Sequence, residues 1–431
     1  MNTPPAMNTD PIPVILDVRG GSAGITASYA AARSLADAFD TTGDRLREWG
    51  ECGLRVMRDP DLLESGLLAP VTCAAAETAV LAATGGPQGV VAASLGWEAD
   101  AVSVRLAVEC LELADDSVRV AVEGLDRHLV PLTLNPVVAL AIALDPDLLT
   151  AWPGLVEHLV DGFGGSATAS LLATLYGAPG RPVVTPFRAQ LGTSRPASVR
   201  DLLEHLHEVA GLSGRPDSPA NGTVEVQTIT GADGTVRHVL YLPGTDDFNA
   251  PWDQDGDVRD LETDLDAMSG RPDAYQQGIL HALHQAGVGT DEPVLIVGHS
   301  LGGMEAAATL AGHSGYHVTD VVTAGAPTAQ LPAFPAGSHV LSLEQAGDIV
   351  PQLDGAPNAD SVEQTTVIFD AHPDASVVSH HSYNVYEQGA GLIDNSTDPS
   401  VTDAVQSLHQ HGYLGSGGSV TSQVFQITRV P

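Results

Sequence analysis

The sequence predicts an α/β architecture: a mostly parallel sheet flanked by helices, preceded by an all-helical N-terminal domain. Three observations lead there. After Ala220, strand-like runs alternate with helical ones: Val224–Thr230, Val236–Leu242, Val294–Val297, Thr319–Ala324, Ser338–Ser342 and Thr365–Phe369 are apolar or alternate with period two. Before that point, residues 22–128 repeat apolar side chains every three or four positions and offer no comparable strands. Finally, Val294–Gly303 reads Val-Leu-Ile-Val-Gly-His-Ser-Leu-Gly-Gly, and an Ala-rich, helix-compatible segment (Met304–Ala311) follows it. That is the pattern of a strand, a sharp turn and a helix.

Bulk composition narrows the possibilities. The chain has 431 residues, enough for two or three domains. Hydrophobic content is 43% and aromatic content 4%, so the core must be built from Ala, Val and Leu. The formal net charge is −36, and all 18 basic residues are Arg. Such a surface repels nucleic acid and anionic lipid headgroups, which excludes both as the main partner. Cys52, Cys73 and Cys110 are odd in number and widely spaced, so they read as small buried side chains rather than disulfide or metal ligands. Met1–Pro13 carries neither a basic segment nor a long apolar one, so the expectation is a cytoplasmic protein or one exported without a cleavable signal peptide. The apolar, uncharged run Leu129–Leu144 is interrupted by Pro131, Asn135 and Pro136 and is too short to span a bilayer.

In chain order, Ala30, Leu35, Ala38, Phe39, Leu46 and Trp49 mark a helix over 22–58. Further helices are expected at Leu67–Ala83, at Gly89–Leu113 and at Asp116–His128, with Thr84-Gly85-Gly86-Pro87 as a break. Together they suggest a bundle over 14–130, able to self-associate or to act as an accessory module. A Leu-Gly-Trp-Glu turn at 95–98, in an all-helical module ahead of a second domain, resembles the helical-hairpin substrates of type VII secretion. There the order is Trp-x-Gly, whereas here Gly96 precedes Trp97. Residues 131–215 read as a helical connector, with short helices at Ala167–Tyr176 and Val199–Gly211. The Ser-Gly-Arg-Pro-Asp-Ser-Pro stretch at 213–219 marks the boundary to an α/β domain over 220–431. In that domain Leu261–Met268 and Tyr275–Ala286 are helical, and Gly231–Gly234 turns a hairpin.

The chemistry centres on Ser300. A Gly-x-Ser-x-Gly turn between strand and helix exposes a strained serine, and Gly298 and Gly302 remove side chains that would collide there. A serine hydroxyl becomes a nucleophile only when a histidine takes its proton, and that imidazole needs an acid to fix its tautomer. Past Ser300 the best acid is Asp348, in Gly-Asp-Ile-Val-Pro just after a strand, with Asp354, Asp360 and Asp370 as competitors. For the base, His381 and His380 are rivals, with His372 a distant third. Two amides must stabilise an oxyanion. Leu301 follows the serine, and Thr245 sits in the Pro243-Gly244-Thr245 loop after a strand and offers an amide and a hydroxyl together.

These motifs together (Gly-Thr after an early strand, Gly-His-Ser-Leu-Gly-Gly, Gly-Asp-x-Val-Pro and a late His followed by Tyr) resemble the class 3 lipase branch of the α/β-hydrolases. The match covers roughly residues 224–395. The resemblance implies an α/β-hydrolase fold and a serine ester hydrolase. Ser300 would be nucleophile, Asp348 acid, His381 base with His380 as its rival, and Thr245 with Leu301 the oxyanion hole. His380 to Tyr383 and His381 to Tyr386 fit the two His-to-Tyr spacings of that family, and His381 is preferred. No cofactor or metal is implied. In such lipases an apolar lid follows the oxyanion loop, whereas Asp246–Asp266 holds nine acidic residues and one Arg. An acidic lid disfavours an anionic membrane and points to small, dispersed acyl esters. The spacing Asp253-x-Asp255-x-Asp257 hints at calcium, but Val258 stands where an EF-hand loop needs Gly. A thioesterase or acyltransferase with the same triad is the nearest alternative. A secreted helical interaction protein with an inactive hydrolase scaffold is the more distant one.

Overall fold

A computed structural model describes residues 12–86, 88–102, 104–105, 173, 179–213, 218–247, 256–312, 314–372 and 377–430. The chain divides into two units, one of residues 25–128 and one of residues 1–24 with 129–431. The expected helices at Asp116–His128 and Ala167–Tyr176, the Leu129–Leu144 run and Cys110 fall outside the described residues, apart from a helical Ala173.

The described part of the first unit is helical: α1 (Gly21–Val56, entering from the other unit), α2 (Pro60–Leu68), α3 (Pro70–Gly85) and a helical run over 90–102. The single helix expected at Leu67–Ala83 is split in two. Pro70 has no N–H to continue α2 but suits the first turn of α3, so the break falls at Ala69. Asp59 caps α2 by accepting from the Asp61 N–H at 2.9 Å. Residues 95–98 lie inside the helical run, which corrects the expected turn there and removes that basis for the hairpin resemblance. Trp97 instead packs edge-on against Phe39, with ring centroids 5.0 Å apart. Arg105 bridges Asp37 and Asp40 at 2.6 and 2.7 Å, and Arg47 pairs with Glu98.

Among the described residues, the other unit is an α/β structure built on one mixed sheet of nine strands. The strands are β1 (Val14–Gly20), β2 (Arg181–Phe187), β3 (Thr223–Thr230), β4 (Val236–Leu242), β5 (Pro293–His299), β6 (His317–Ala324), β7 (His339–Gln345), β8 (Gln364–Asp370) and β9 (Ser419–Val430). Their order is β1-β8-β7-β6-β5-β4-β3-β9-β2. The block β4 to β8 is parallel, and antiparallel strands extend it on both sides. Parallel strands are buried on both faces, and β5 shows why its sequence is continuously apolar. Its Leu295 and Val297 enter one core, with Leu206, Phe369 and Tyr386. Its Val294 and Ile296 enter the other, with Ile279, Leu310 and Phe425.

Two strands correct the expected boundaries. β1 lies within the span assigned to the helical bundle, and β2 within the span assigned to a helical connector. Both are edge strands whose only ladders are to distant partners, Val14↔Asp370 and Arg181↔Val430 among the pairs. β2 carries Pro182 and Pro186, which an edge strand tolerates where no ladder N–H is needed.

Helices α4 (Val199–Ala210), α5 (Leu261–Ser269), α6 (Ala274–Ala286), α7 (Leu301–Ala311), α8 (Tyr383–Asp394) and α9 (Pro399–Gln410) cover the sheet. Because β4 to β8 run in the same direction, the loops after them gather at one edge. That edge is where open α/β sheets hold their sites.

Candidate active site

Ser300 sits between β5 and α7 with φ 54° and ψ −124°. A serine at positive φ costs about 1–3 kcal/mol, so its surroundings must enforce it. Its N–H donates to the Ala324 carbonyl at 2.9 Å, and its own carbonyl accepts from the Gly303 and Met304 amides at 2.9 and 3.0 Å. The two flanking glycines are required by space. A Cβ at Gly298 would collide with the Gly302 carbonyl, and one at Gly302 with the Leu242 carbonyl. Leu301 begins α7, so its N–H has no carbonyl one turn back and stands at the positive end of the helix dipole.

Asp348 follows β7 on the turn made by Gly347, whose φ is 86°. It is 1% exposed. Its Oδ2 accepts from His381 Nδ1–H at 2.7 Å and from the Tyr386 hydroxyl at 2.6 Å, and its Oδ1 accepts from the Val350 N–H at 3.0 Å. Three donors on one buried carboxylate fix its position and satisfy both of its oxygens. Because the Nδ1 proton faces Asp348, Nε2 of His381 is the basic nitrogen. His380 points elsewhere: its Nδ1–H donates to the Ala346 carbonyl at 3.1 Å, and its ring covers Gly347. The competing acids have other duties. Asp354 accepts from the Ala329 N–H at 2.7 Å, Asp370 pairs with His372 at 2.9 Å, and Asp360 is exposed.

The His381 ring lies beside the serine turn. A Cβ on Gly325, next to the residue that accepts the Ser300 N–H, would stand 3.0 Å from His381 Cε1. His299, just before the serine, packs against His381 in a tilted arrangement with ring centroids 4.5 Å apart and donates from Nε2–H to the His381 carbonyl at 3.0 Å. Burial, then the charge of His381, holds its pKa well below the usual imidazole value. A neutral His299 thus ties the base to the serine turn.

The Pro243-Gly244-Thr245 loop reaches the same place. A Cβ on Gly244 would stand 3.0 Å from Ser300 Cβ, so only glycine brings this backbone so close. Its carbonyl accepts from Arg259 Nη1–H at 3.0 Å, and its N–H donates to the Tyr383 hydroxyl at 3.0 Å. Arg259 is fully buried; it pairs with Asp246 at 2.5 Å and donates to Ser213 Oγ at 2.6 Å. The Thr245 hydroxyl donates to Asp264 Oδ2 at 2.9 Å, so its proton is committed and the Thr245 amide is the group left to face an oxyanion. Burial pushes Asp264 up to about 7.

The described part of the acidic segment, residues 246–247 and 256–266, is not an exposed lid. Asp257, Asp260, Glu262 and Asp266 are all buried, as is the Asp246 side chain. Arg429 holds Asp260 and Glu262, and Arg271 holds Asp266 at 3.3 Å. Two of these arginines come from outside the segment, so a local count of charges misplaced it at the surface. Asp253 and Asp255 lie outside the described residues; Asp257 Oδ1 accepts from the Arg259 N–H at 3.0 Å.

No family model, curated protein or solved structure matches this chain. The structure therefore brings Ser300, Leu301, Asp348, His381 and Thr245 to one sheet edge on its own geometry and sets His380 apart. Sequence reasoning gave Arg259 and His299 no role in this cluster and used Tyr386 only as a spacing mark, without its bond to Asp348. Only their positions carry a signal: the lone Arg among nine acids, the residue beside the serine, and the Tyr five positions past His381.

Proposed function

We propose that this chain is a serine ester hydrolase of the α/β-hydrolase type, acting through an acyl-enzyme on Ser300. One observation carries the reading: a serine forced to positive φ stands beside a histidine whose Nδ1–H is fixed by a buried aspartate 2.7 Å away. A surface serine on an ordinary turn needs neither the strain nor the pair.

In this reading His381 Nε2 takes the Ser300 proton as Oγ attacks the ester carbonyl. The carbonyl oxygen gains negative charge and meets the amides of Leu301 and Thr245. Asp348 orients the imidazole through Nδ1–H and stabilises the imidazolium that forms. As the intermediate collapses, His381 passes the proton to the departing alcohol. Water then enters, His381 deprotonates it, and the acid leaves with Ser300 restored. No step asks for a metal or a cofactor.

The substrate is a small acyl ester. With Asp246, Asp257, Asp260, Glu262 and Asp266 buried, the case against an anionic lipid surface rests on the whole-chain charge of −36 rather than on an acidic lid. Hydrolysis of a p-nitrophenyl ester series by the wild type and Ser300→Ala tests the proposal. Turnover should vanish with the serine, and equal rates would end the reading. Faster turnover of the matching thioesters would move the assignment to a thioesterase with the same residues.

A further inference from the structure

Five residues past Ser300, on the same helix, stands an acid that the proposed reaction does not use. Glu305 is 1% exposed, and no N–H or O–H of a described residue donates to either of its carboxyl oxygens. It faces the carboxyl of Asp273, which is 2% exposed and caps α6 by accepting from the Gln276 N–H at 2.7 Å. The other groups around it are no help. Asp264 and Asp266 approach from α5, and Tyr275 of α6 is fully buried with an unpartnered hydroxyl. The chain has no Lys, and the nearby cations are engaged: Arg259 with Asp246, Arg271 with Asp266.

Two buried carboxylates side by side, without a cation, cannot both be ionised. Either a cation or a proton must make up the difference. Among the described residues no group of three His, Cys, Asp or Glu is arranged to hold a metal ion. A proton needs only the two carboxyls, and it converts one acceptor into the donor that the pair lacks.

We propose that Glu305 and Asp273 share one proton, and that this proton fastens the helix carrying Ser300 to α5 and α6, making Glu305 a positioning residue for the site. The link to the site is short. α5 packs on α7 and carries Asp264, which holds the Thr245 hydroxyl. Loss of the proton puts two like charges between α7 and the N-terminus of α6, so the helices separate and α5 draws Thr245 from Ser300. Burial first, then the charge of Asp273, holds Glu305 well above the usual carboxylate range, which agrees with a retained proton.

The sign follows from linkage. The folded chain keeps a proton that the unfolded chain releases above about pH 4.5, so stability falls as pH rises from there through the folded value. Glu305→Gln imitates the protonated acid and removes the dependence. Asp273→Asn removes the neighbouring charge and keeps a side chain that caps α6, so Glu305 gives up its proton at lower pH than in the wild type.

The test is urea unfolding of the full chain at pH 5 to 8, with and without EDTA, for the wild type, E305Q and D273N. Relative to E305Q, the wild-type unfolding constant should rise by close to tenfold per pH unit until the proton is lost, and EDTA should change nothing. Should E305Q fail to fold, D273N carries the test, with the same rise over a narrower pH range. Parallel pH dependences in wild type and variants would overturn the proposal. So would destabilisation by EDTA in the wild type alone, which would mean a bound cation. The second arm rests on the ester hydrolase reading: the alkaline decline of kcat should move to higher pH in E305Q, and an unmoved decline would overturn the link to the site. A chain without esterase activity at any pH would refute that reading, while the unfolding arm would still decide the shared proton.

Discussion

Arg259→Met removes the cation that holds the oxyanion loop while keeping most of the side-chain volume. Arg259 is fully buried, and its partner Asp246 is 3% exposed at 2.5 Å. Removing one partner leaves the other charge stranded, which typically costs about 3–5 kcal/mol. Asp246 keeps hydrogen bonds from Ser213 Oγ at 2.7 Å and the Gly222 N–H at 2.9 Å, so the lower end of that range is expected. At about 2–4 °C per kcal/mol for a domain of this size, the melting temperature should fall by roughly 6–12 °C. Replacing both partners, in Arg259→Met with Asp246→Leu, should recover most of the loss, because a neutral pair of similar volume has no charge to strand. Urea titrations of the two single variants and the double give the coupling directly. A single variant within about 1 kcal/mol of wild type, or a double variant at the sum of the singles, would refute the account of Arg259 as a buried tether.

Other predictions follow from the same contacts. His381→Ala should abolish ester turnover, whereas His380→Ala should retain it, and the reverse order in a rate assay would reassign the base. Tyr386→Phe removes one of three donors to Asp348; a hydrogen bond to a charged group is worth about 1.5–3 kcal/mol, so kcat should fall roughly 10- to 150-fold with little change in KM. His205 lies between Glu225, at 2.5 Å, and Glu208, at 3.1 Å. Burial pulls its pKa down, but the hydrogen bond and charge of Glu225 with those of Glu208 outweigh it, and the net shift is upward. The imidazolium therefore adds stability that is complete below about pH 6.5 and is lost as pH rises through the folded value, so His205→Gln should flatten urea midpoints over that window.

What could be read from the sequence was what local periodicity encodes. The six strands foreseen, the serine turn between β5 and α7, and helices α4 to α6 each carry their signal within a dozen residues. Asp348 was legible because a Gly-Asp step after a strand is a local motif. Choosing His381 over His380 was different in kind: adjacent residues share one local context, and only the turn over Gly347 separates their directions. β1 and β2 were hidden because an edge strand is defined by its partner, here more than 230 residues away in each case. The buried acids after the oxyanion loop were hidden for the same reason. Their compensation comes from Arg271 and Arg429 and, for Glu305 with Asp273, from a proton that no sequence records.

The central claim is that Ser300 is a nucleophile activated by His381. Incubation with a fluorophosphonate ester, followed by intact mass and peptide mapping, tests it without knowledge of the natural substrate. The account predicts one phosphonyl adduct on Ser300 in the wild type, none in Ser300→Ala and a much slower one in His381→Ala. An unlabelled wild type, or labelling that persists in Ser300→Ala, would contradict it.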